Sequence, residues 1–227
     1  MRKILHLHGI GSAGGGATAS VLKKLFSDIE VISPDIPVRP LEAFAFISKL
    51  VAGNEFDFVV GTSLGGFYAM LIKGIPKFLI NPAMNAPTDI ENAIGLGEHD
   101  FLRPRQDGAV SYTIDRSFID ELEILLKGYN SSSYDFSKET FGIFGRNDEL
   151  LHNADMFREK FGEENMLTAD LGHRLPVMVL KQVVYPFMIQ KLSGTQLHKT
   201  LLHISQNPHH PVRVQTHHQH GTACIDS

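Results

Sequence analysis

The sequence predicts a three-layer α/β fold, a mostly parallel central sheet with helices on both faces. Three observations carry this. Short β-rich runs alternate with segments of helical pattern along most of the chain, the rhythm of βαβ units. One run, Phe56-Asp57-Phe58-Val59-Val60, is almost wholly apolar, as suits a central strand covered on both sides. The 227 residues, 43% hydrophobic, suffice for one sizeable core.

The strands are expected at Lys3–Leu7, Ile29–Ser33, Phe56–Val60, Lys77–Ile80, Thr140–Phe144 and Asn165–Ala169. Helices are expected at Thr18–Phe26, Pro40–Val51, Gly66–Lys73, Ser117–Lys127, Ala154–Phe161 and Pro176–Lys191. In the second of these, Leu41, Phe44, Ala45, Ile47 and Leu50 approximate one helical face, and Pro40 suits the first turn, where a missing N–H costs nothing. From Met84 to about Tyr134 the rhythm breaks, with Pro, Gly and scattered charge. Residues 84–135 therefore read as an insertion or cap-like segment between two core strands, expected to cover the site. The catalytic domain is expected to span 1–193.

Residues 194–227 hold seven of the twelve histidines and little apolar periodicity, so a disordered tail or a loosely docked helix is expected there. Such a tract could bind Zn or Ni weakly, but a solvated appendage is the favoured reading. Composition limits the function. A net charge of −4 supplies no basic field for nucleic-acid phosphates or anionic lipid, so neither nucleic acid nor membrane is an expected partner. Cys224 is the single cysteine, which rules out an intramolecular disulfide and a thiolate cluster. No run approaches the ~20 apolar residues that span a bilayer, and the apolar stretch after Arg2 and Lys3 ends too early for a signal-peptide core. A cytoplasmic location is expected.

Gly61-Thr62-Ser63-Leu64-Gly65-Gly66 follows the buried run and precedes an apolar helix, the strand–turn–helix context of the G-x-S-x-G nucleophile elbow. A serine there sits in a strained turn above the C-terminal edge of the sheet, where side chains at Gly61 and Gly65 would collide with the backbone. Its hydroxyl needs a general base, and the base needs a carboxylate that holds its tautomer. Asp148, in the loop after Thr140–Phe144, is the candidate acid, and His173, in the loop after Asn165–Ala169, the candidate base. The chain order Ser, Asp, His is that of the α/β-hydrolase fold, and each residue follows a strand at one sheet edge. Asp170 is a rival acid, but three residues from His173 on the same loop it more simply shapes that loop.

Leu5-His6-Leu7-His8-Gly9-Ile10-Gly11-Ser12 ends the first strand in a His-Gly turn able to offer backbone N–H groups to a developing oxyanion. The expected donors are the amides of Leu64 and Ile10, with Gly11 as second choice and Gly9 in the same turn. His8 reads as a brace for the loop before it reads as a catalytic group. Gly9-x-Gly11-x-x-Gly14, with Asp35 beyond it, also has dinucleotide-binding spacing, which supports a lesser alternative, an NAD(P)-binding oxidoreductase. The Gly-rich run continues through Gly15 and Gly16, and that alternative leaves Ser63, Asp148 and His173 without a purpose.

The chain resembles the small bacterial α/β-hydrolase esterases of the YqiA/UPF0227 type over about residues 1–192. The likeness rests on Ile4-Leu5-His6-Leu7-His8-Gly9, Ser33-Pro34-Asp35-Ile36-Pro37, Val60 to Ala69, Ile80-Asn81-Pro82-Ala83, and the Asp148 and His173 loops. It implies a compact hydrolase with little lid, acting on short acyl esters or thioesters without a cofactor or metal, with Ser63, Asp148 and His173 at the triad positions. Pro104-Arg105-Gln106-Asp107-Gly108 is also family-like; Arg105 reads first as an ion pair with Asp107 and second as a binder of a substrate anion. Phe67, Phe101, Phe118 and Met84 read first as core and second as pocket wall. The expected partner is a small acyl substrate. A non-catalytic ligand-binding protein of the same fold is the runner-up. Nothing in the sequence marks an oligomer interface.

Overall fold

The computed structural model describes residues 2–193; the His-rich stretch 194–227 lies outside them. In chain order the elements are β1 (Lys3–Leu7), α1 (Ala17–Leu25), β2 (Glu30–Ile32), α2 (Pro40–Ala52), β3 (Phe58–Thr62), α3 (Leu64–Leu71), β4 (Lys77–Ile80), α4 (Ala86–Ala93), β5 (Gly97–Asp100), β6 (Ser111–Ile114), α5 (Arg116–Asn130), β7 (Thr140–Gly145), α6 (Ala154–Phe161), β8 (Met166–Ala169), α7 (Val177–Val179) and α8 (Tyr185–Ser193).

Six strands form one parallel sheet in the order β2-β1-β3-β4-β7-β8. Strand side chains alternate across it. Leu5, Leu7, Val59 and Leu79 face a core shared with Ile47 of α2, Phe67 of α3, Ile90 of α4, Phe118 of α5 and Phe157 of α6. Ile4, Phe58, Val60, Phe78 and Ile80 face a second core closed by Leu22 of α1 and by Val184, Met188 and Leu192 near the end of the described chain. This period-two partition explains the apolar run in the central strand: both of its faces are covered by helices. Because all six strands are parallel, the loops after β1, β3, β4, β7 and β8 emerge at one edge. The candidate residues lie on those loops.

The structure moves several expected boundaries. The central strand is Phe58–Thr62 rather than Phe56–Val60, so Gly61 and Thr62 belong to the ladder, paired with Leu79 and Ile80. The strand expected at Ile29–Ser33 is shorter, Glu30–Ile32, and the helix expected at Ser117–Lys127 is longer, Arg116–Asn130, because Asp115 caps it by accepting a hydrogen bond from the Phe118 amide. The last helix is not one regular segment. Between α7 and α8 the chain widens into a π-helical turn, Leu180–Val184. Pro186 supplies the reason: it has no N–H to offer the Gln182 carbonyl, and its ring crowds that oxygen.

The 84–135 stretch carries α4, the two-stranded antiparallel pair β5·β6 and α5. The pair gave no sequence signal because β5 reads Gly-Glu-His-Asp and is largely exposed; register with β6 creates it. Met84, Phe67 and Phe118 are buried in the core, as their residue types suggested.

Candidate active site

Ser63 stands between the end of β3 and the start of α3 with φ 52° and ψ −120°. A non-glycine residue with positive φ costs about 1–3 kcal/mol and persists only where its surroundings impose it. Here they do. The Ser63 N–H donates to the Ile80 carbonyl at 3.0 Å, and its carbonyl accepts from the amides of Gly66, Phe67 and Ala83 at 2.9, 3.2 and 3.2 Å. A Cβ on Gly61 would overlap the Gly65 backbone, and one on Gly65 would overlap the carbonyls of Leu7 and His8. Both glycines are therefore required by close backbone approach. A Cβ on Gly66 would come within 2.9 Å of the Pro82 Cβ, so α3 packs directly against the loop after β4.

His173 Nδ1 lies 3.0 Å and 3.1 Å from the two carboxylate oxygens of Asp148. An ionised carboxylate only accepts, so Nδ1 carries the proton and Nε2 is left with its lone pair. Asp148 is 5% exposed, and its Oδ1 also accepts the amides of Leu150 and Leu151 at 2.8 and 3.0 Å. Burial pushes its carboxyl pKa up, but the hydrogen bond to His173 and the two amides outweigh that and hold it below the ordinary value. Asp170, the rival, instead accepts from the Asn147 side chain at 2.6 Å. The structure thus pairs His173 with Asp148. It does not join Ser63 to His173 by a hydrogen bond, although both project from the same sheet edge.

Two further groups hold the histidine loop. The His173 amide donates to Glu149 Oε2 at 3.1 Å. Asn81, 2% exposed and with φ 42°, donates from Nδ2 to the carbonyls of Gly172 and His173 at 2.9 and 3.1 Å and accepts the Gly145 amide at 2.8 Å. Sequence reading quoted Asn81 within a motif but gave it no role. The available signal was an asparagine, which tolerates positive φ, directly after a buried strand and before Pro82.

The His-Gly turn lies against the elbow. A Cβ on Gly9 would sit 3.1 Å from Ser63 Cβ and 3.6 Å from Ser63 Oγ, so glycine keeps the turn close to the hydroxyl. Among the described residues, neither the Ile10 nor the Leu64 amide has a hydrogen-bond acceptor. His8 is the brace its position suggested. Its Nε2 accepts the Ile36 amide at 3.1 Å, which places the proton on Nδ1, 2.9 Å from the Gly9 carbonyl. Burial lowers the His8 pKa and keeps the ring neutral. Gly11 has φ 69° and packs on the Tyr112 ring and hydroxyl.

A pocket opens beside these amides, walled by Ile10, Leu64, Tyr68, Ile36, Phe101 and Tyr112. Of the four apolar candidates, Phe101 alone reaches it. Arg105 lines the same pocket with its guanidinium 4.7 Å from the Phe101 ring centre, bonded to Asp107 at 2.9–3.1 Å and to the Ile36 carbonyl at 3.1 Å. The ion pair with Asp107 is therefore formed. Asp35, the acidic residue of the dinucleotide spacing, spends both oxygens on amides, Gly14 at 2.5 Å and Gln106 at 2.6 Å. Its carboxylate fastens the segment around Arg105 to the turn after β1. Leu102 does the same, donating to the Gly11 carbonyl at 2.7 Å. Among the described residues, no group of three or more His, Cys, Asp or Glu side chains is arranged to hold a metal ion, and no helix is long and apolar enough to cross a membrane.

Comparison with solved structures gives the same fold. The chain is similar to the Butyrivibrio proteoclasticus protein Est1E with ferulic acid bound, at 14% identity and a TM-score of 0.58, covering 85% of this chain and 90% of that one. It is similar to mouse alpha/beta hydrolase domain-containing protein 10 at 16% identity and a TM-score of 0.52, covering 88% and 90%. A thioesterase domain from the curacin biosynthetic pathway matches at 16% identity and a TM-score of 0.51, covering 83% and 91%. These likenesses establish the α/β-hydrolase fold expected from the sequence. The family expectation has a sharper counterpart: the profile of UPF0227, described as an uncharacterised protein family, matches residues 3–159. With more than half its length inside that match, the chain belongs to the UPF0227 family, on an α/β-hydrolase fold.

Proposed function

We propose that this protein is a serine hydrolase that cleaves small carboxylic esters or thioesters through an acyl-enzyme. The observation that carries the reading is the pairing of His173 with the buried Asp148 carboxylate at the sheet edge where Ser63 is held in a strained turn. The fold shared with a thioesterase domain agrees with it, as does the ferulic acid bound to Est1E, a small carboxylic acid of the kind such a reaction releases.

In this reading Nε2 of His173 takes the Ser63 proton as Oγ attacks the substrate carbonyl. Asp148 keeps Nδ1 protonated and stabilises the imidazolium that results. The carbonyl oxygen gains the negative charge and is met by the N–H groups of Ile10 and Leu64, which have no acceptor to give up among the described residues. His173 then returns the proton to the departing alcohol or thiol. Water, activated by the same nitrogen, attacks the acyl-enzyme and frees the acid and Ser63. The Ser63–His173 hydrogen bond forms as substrate enters, since such bonds commonly tighten only in the complex. The acyl group lies along the small pocket walled by Phe101 and Tyr112, which bounds it to a short chain.

The test is intact-mass spectrometry after treatment with a fluorophosphonate. The expected result is a single adduct on the wild type that is lost in Ser63→Ala. Folded wild-type protein that takes up no adduct would overturn the reading.

A further inference from the structure

We infer that Asn81 is a positioning residue that fixes the acid and base loops to the nucleophile elbow; the inference rests on the hydrolase reading. No part of the mechanism above uses Asn81, yet four consecutive residues here bond to Ser63, to His173 and to the chain on either side of Asp148. The Ile80 carbonyl accepts the Ser63 amide at 3.0 Å, and the Ala83 amide donates to the Ser63 carbonyl at 3.2 Å. Between them, the Asn81 amide donates to the Ile143 carbonyl of β7 at 2.8 Å. The Pro82 carbonyl accepts from the Asn153 side chain at 3.0 Å, on the chain that leads from Asp148 into α6.

The Asn81 side chain closes the set. A primary amide has one carbonyl and two N–H bonds, and both ends are used on different loops. Oδ1 takes the Gly145 amide at the end of β7, three residues before Asp148. Nδ2 serves the carbonyls of Gly172 and His173. One buried planar group therefore sets the separation between the strand that delivers the acid and the peptide that carries the base. Its backbone takes a positive φ of 42° immediately before Pro82, a conformation asparagine tolerates.

The geometry calls for an amide and no other common side chain. A carboxylate would keep the acceptor for Gly145 but face two carbonyl oxygens, and leucine would leave three half-buried backbone polar groups without this partner. The consequence is specific to chemistry. When the tie is cut, the His173 ring is free to turn away from Asp148, so its imidazolium loses stabilisation and Nε2 loses its aim at Ser63.

The experiment measures the second-order rate of fluorophosphonate labelling of Ser63 across pH, with thermal unfolding as the control for folding. Asn81→Gly removes the side chain and accommodates the positive φ; Asn81→Asp keeps the acceptor and the shape. In folded Asn81→Gly we expect labelling at least tenfold slower than wild type, with the acid limb of the pH profile displaced, because the His173 ring is no longer held against Asp148. Asn81→Asp is expected to be slowed as well. A merely structural role would lower the unfolding temperature and leave the rate and the limb of the folded protein in place. Wild-type labelling with either folded variant at the wild-type rate and profile overturns the inference, and so does failure of both variants to fold. Folded wild type that does not label overturns the hydrolase reading first and the inference with it.

Discussion

Asp148 and His173 meet through one ring nitrogen and both carboxylate oxygens, at 3.0 and 3.1 Å, with the carboxylate buried and two further amides on its inner oxygen. The pair is built to keep a proton on Nδ1. The carboxylate stays ionised, so the imidazole has one tautomer and one orientation, and its free nitrogen faces away from the carboxylate.

The first prediction separates the two candidate acids. Asp148→Asn exchanges an acceptor for a group that also donates, so His173 loses its tautomer, and turnover of an activated ester is expected to fall about 10³–10⁴-fold. Asp170→Asn touches the Asn147 contact instead and is expected to stay within about threefold of wild type. Equal losses in the two variants would refute the assignment.

The second concerns the elbow backbone. Gly65→Ala places a methyl into the carbonyls of Leu7 and His8, which are main chain and cannot swing aside. A loss of about 3 kcal/mol or more in unfolding free energy is expected, read from the denaturant midpoint. A stable Gly65→Ala protein with a wild-type midpoint would mean that β1 and α3 do not approach as described.

The third uses the two histidines of β1 and its turn. His6 is buried, its Nδ1 is 2.8 Å from the Ser33 hydroxyl, and its Nε2 has no partner among the described residues. Burial, helped by the neighbouring His8, lowers its pKa from 6.5 to about 3, and His8 is shifted the same way. A histidine with a depressed folded-state pKa binds its proton in the unfolded chain first, so the unfolded state gains as pH drops. Stability is full above about pH 6.5 and falls from there down to about 3, by roughly 1.4 kcal/mol per pH unit for one such histidine. The low-lying Asp148 adds a loss of the same sign below its unfolded value of 3.8. Unfolding temperatures at pH 7 and 4.5 should differ clearly in the wild type and by less in His6→Asn. An identical drop in both would count against His6.

How much of this was legible in the sequence follows from range. The parallel sheet was readable because buried strands are short apolar runs with helical patterns between them, and the elbow because Gly-Thr-Ser-Leu-Gly must follow such a run. Asp148 and His173 could be chosen by topology alone, each on the loop after a strand. The β5·β6 pair was invisible, since its exposed residues carry no alternation and only mutual register makes them strands. Asn81 was invisible for the same physical reason at longer range: its partners lie 64, 91 and 92 residues away. Asp35 completed a dinucleotide-binding spacing because a spacing does not reveal that Gly14 and Gln106 already occupy both oxygens.

A fourth prediction follows for that alternative. With the Asp35 carboxylate fully engaged inside the protein, titration with NADH is expected to give no saturable change in nucleotide fluorescence. A saturable signal at micromolar nucleotide would require that the Gly14–Asp35–Gln106 bridge open.

The bond from the Leu102 amide to the Gly11 carbonyl joins the wall of the pocket to the turn that carries the Ile10 amide. In the proposed mechanism, recognition and rate enhancement thus share one piece of backbone. On that proposal, a substrate too bulky for Phe101 and Tyr112 cannot push the wall back without dragging the Ile10 amide with it, so poor fit is expected to register as slow turnover as well as weak binding. Broadening the substrate range of this scaffold by substitutions at residues 101–106 would therefore trade against speed, and the two are best selected together.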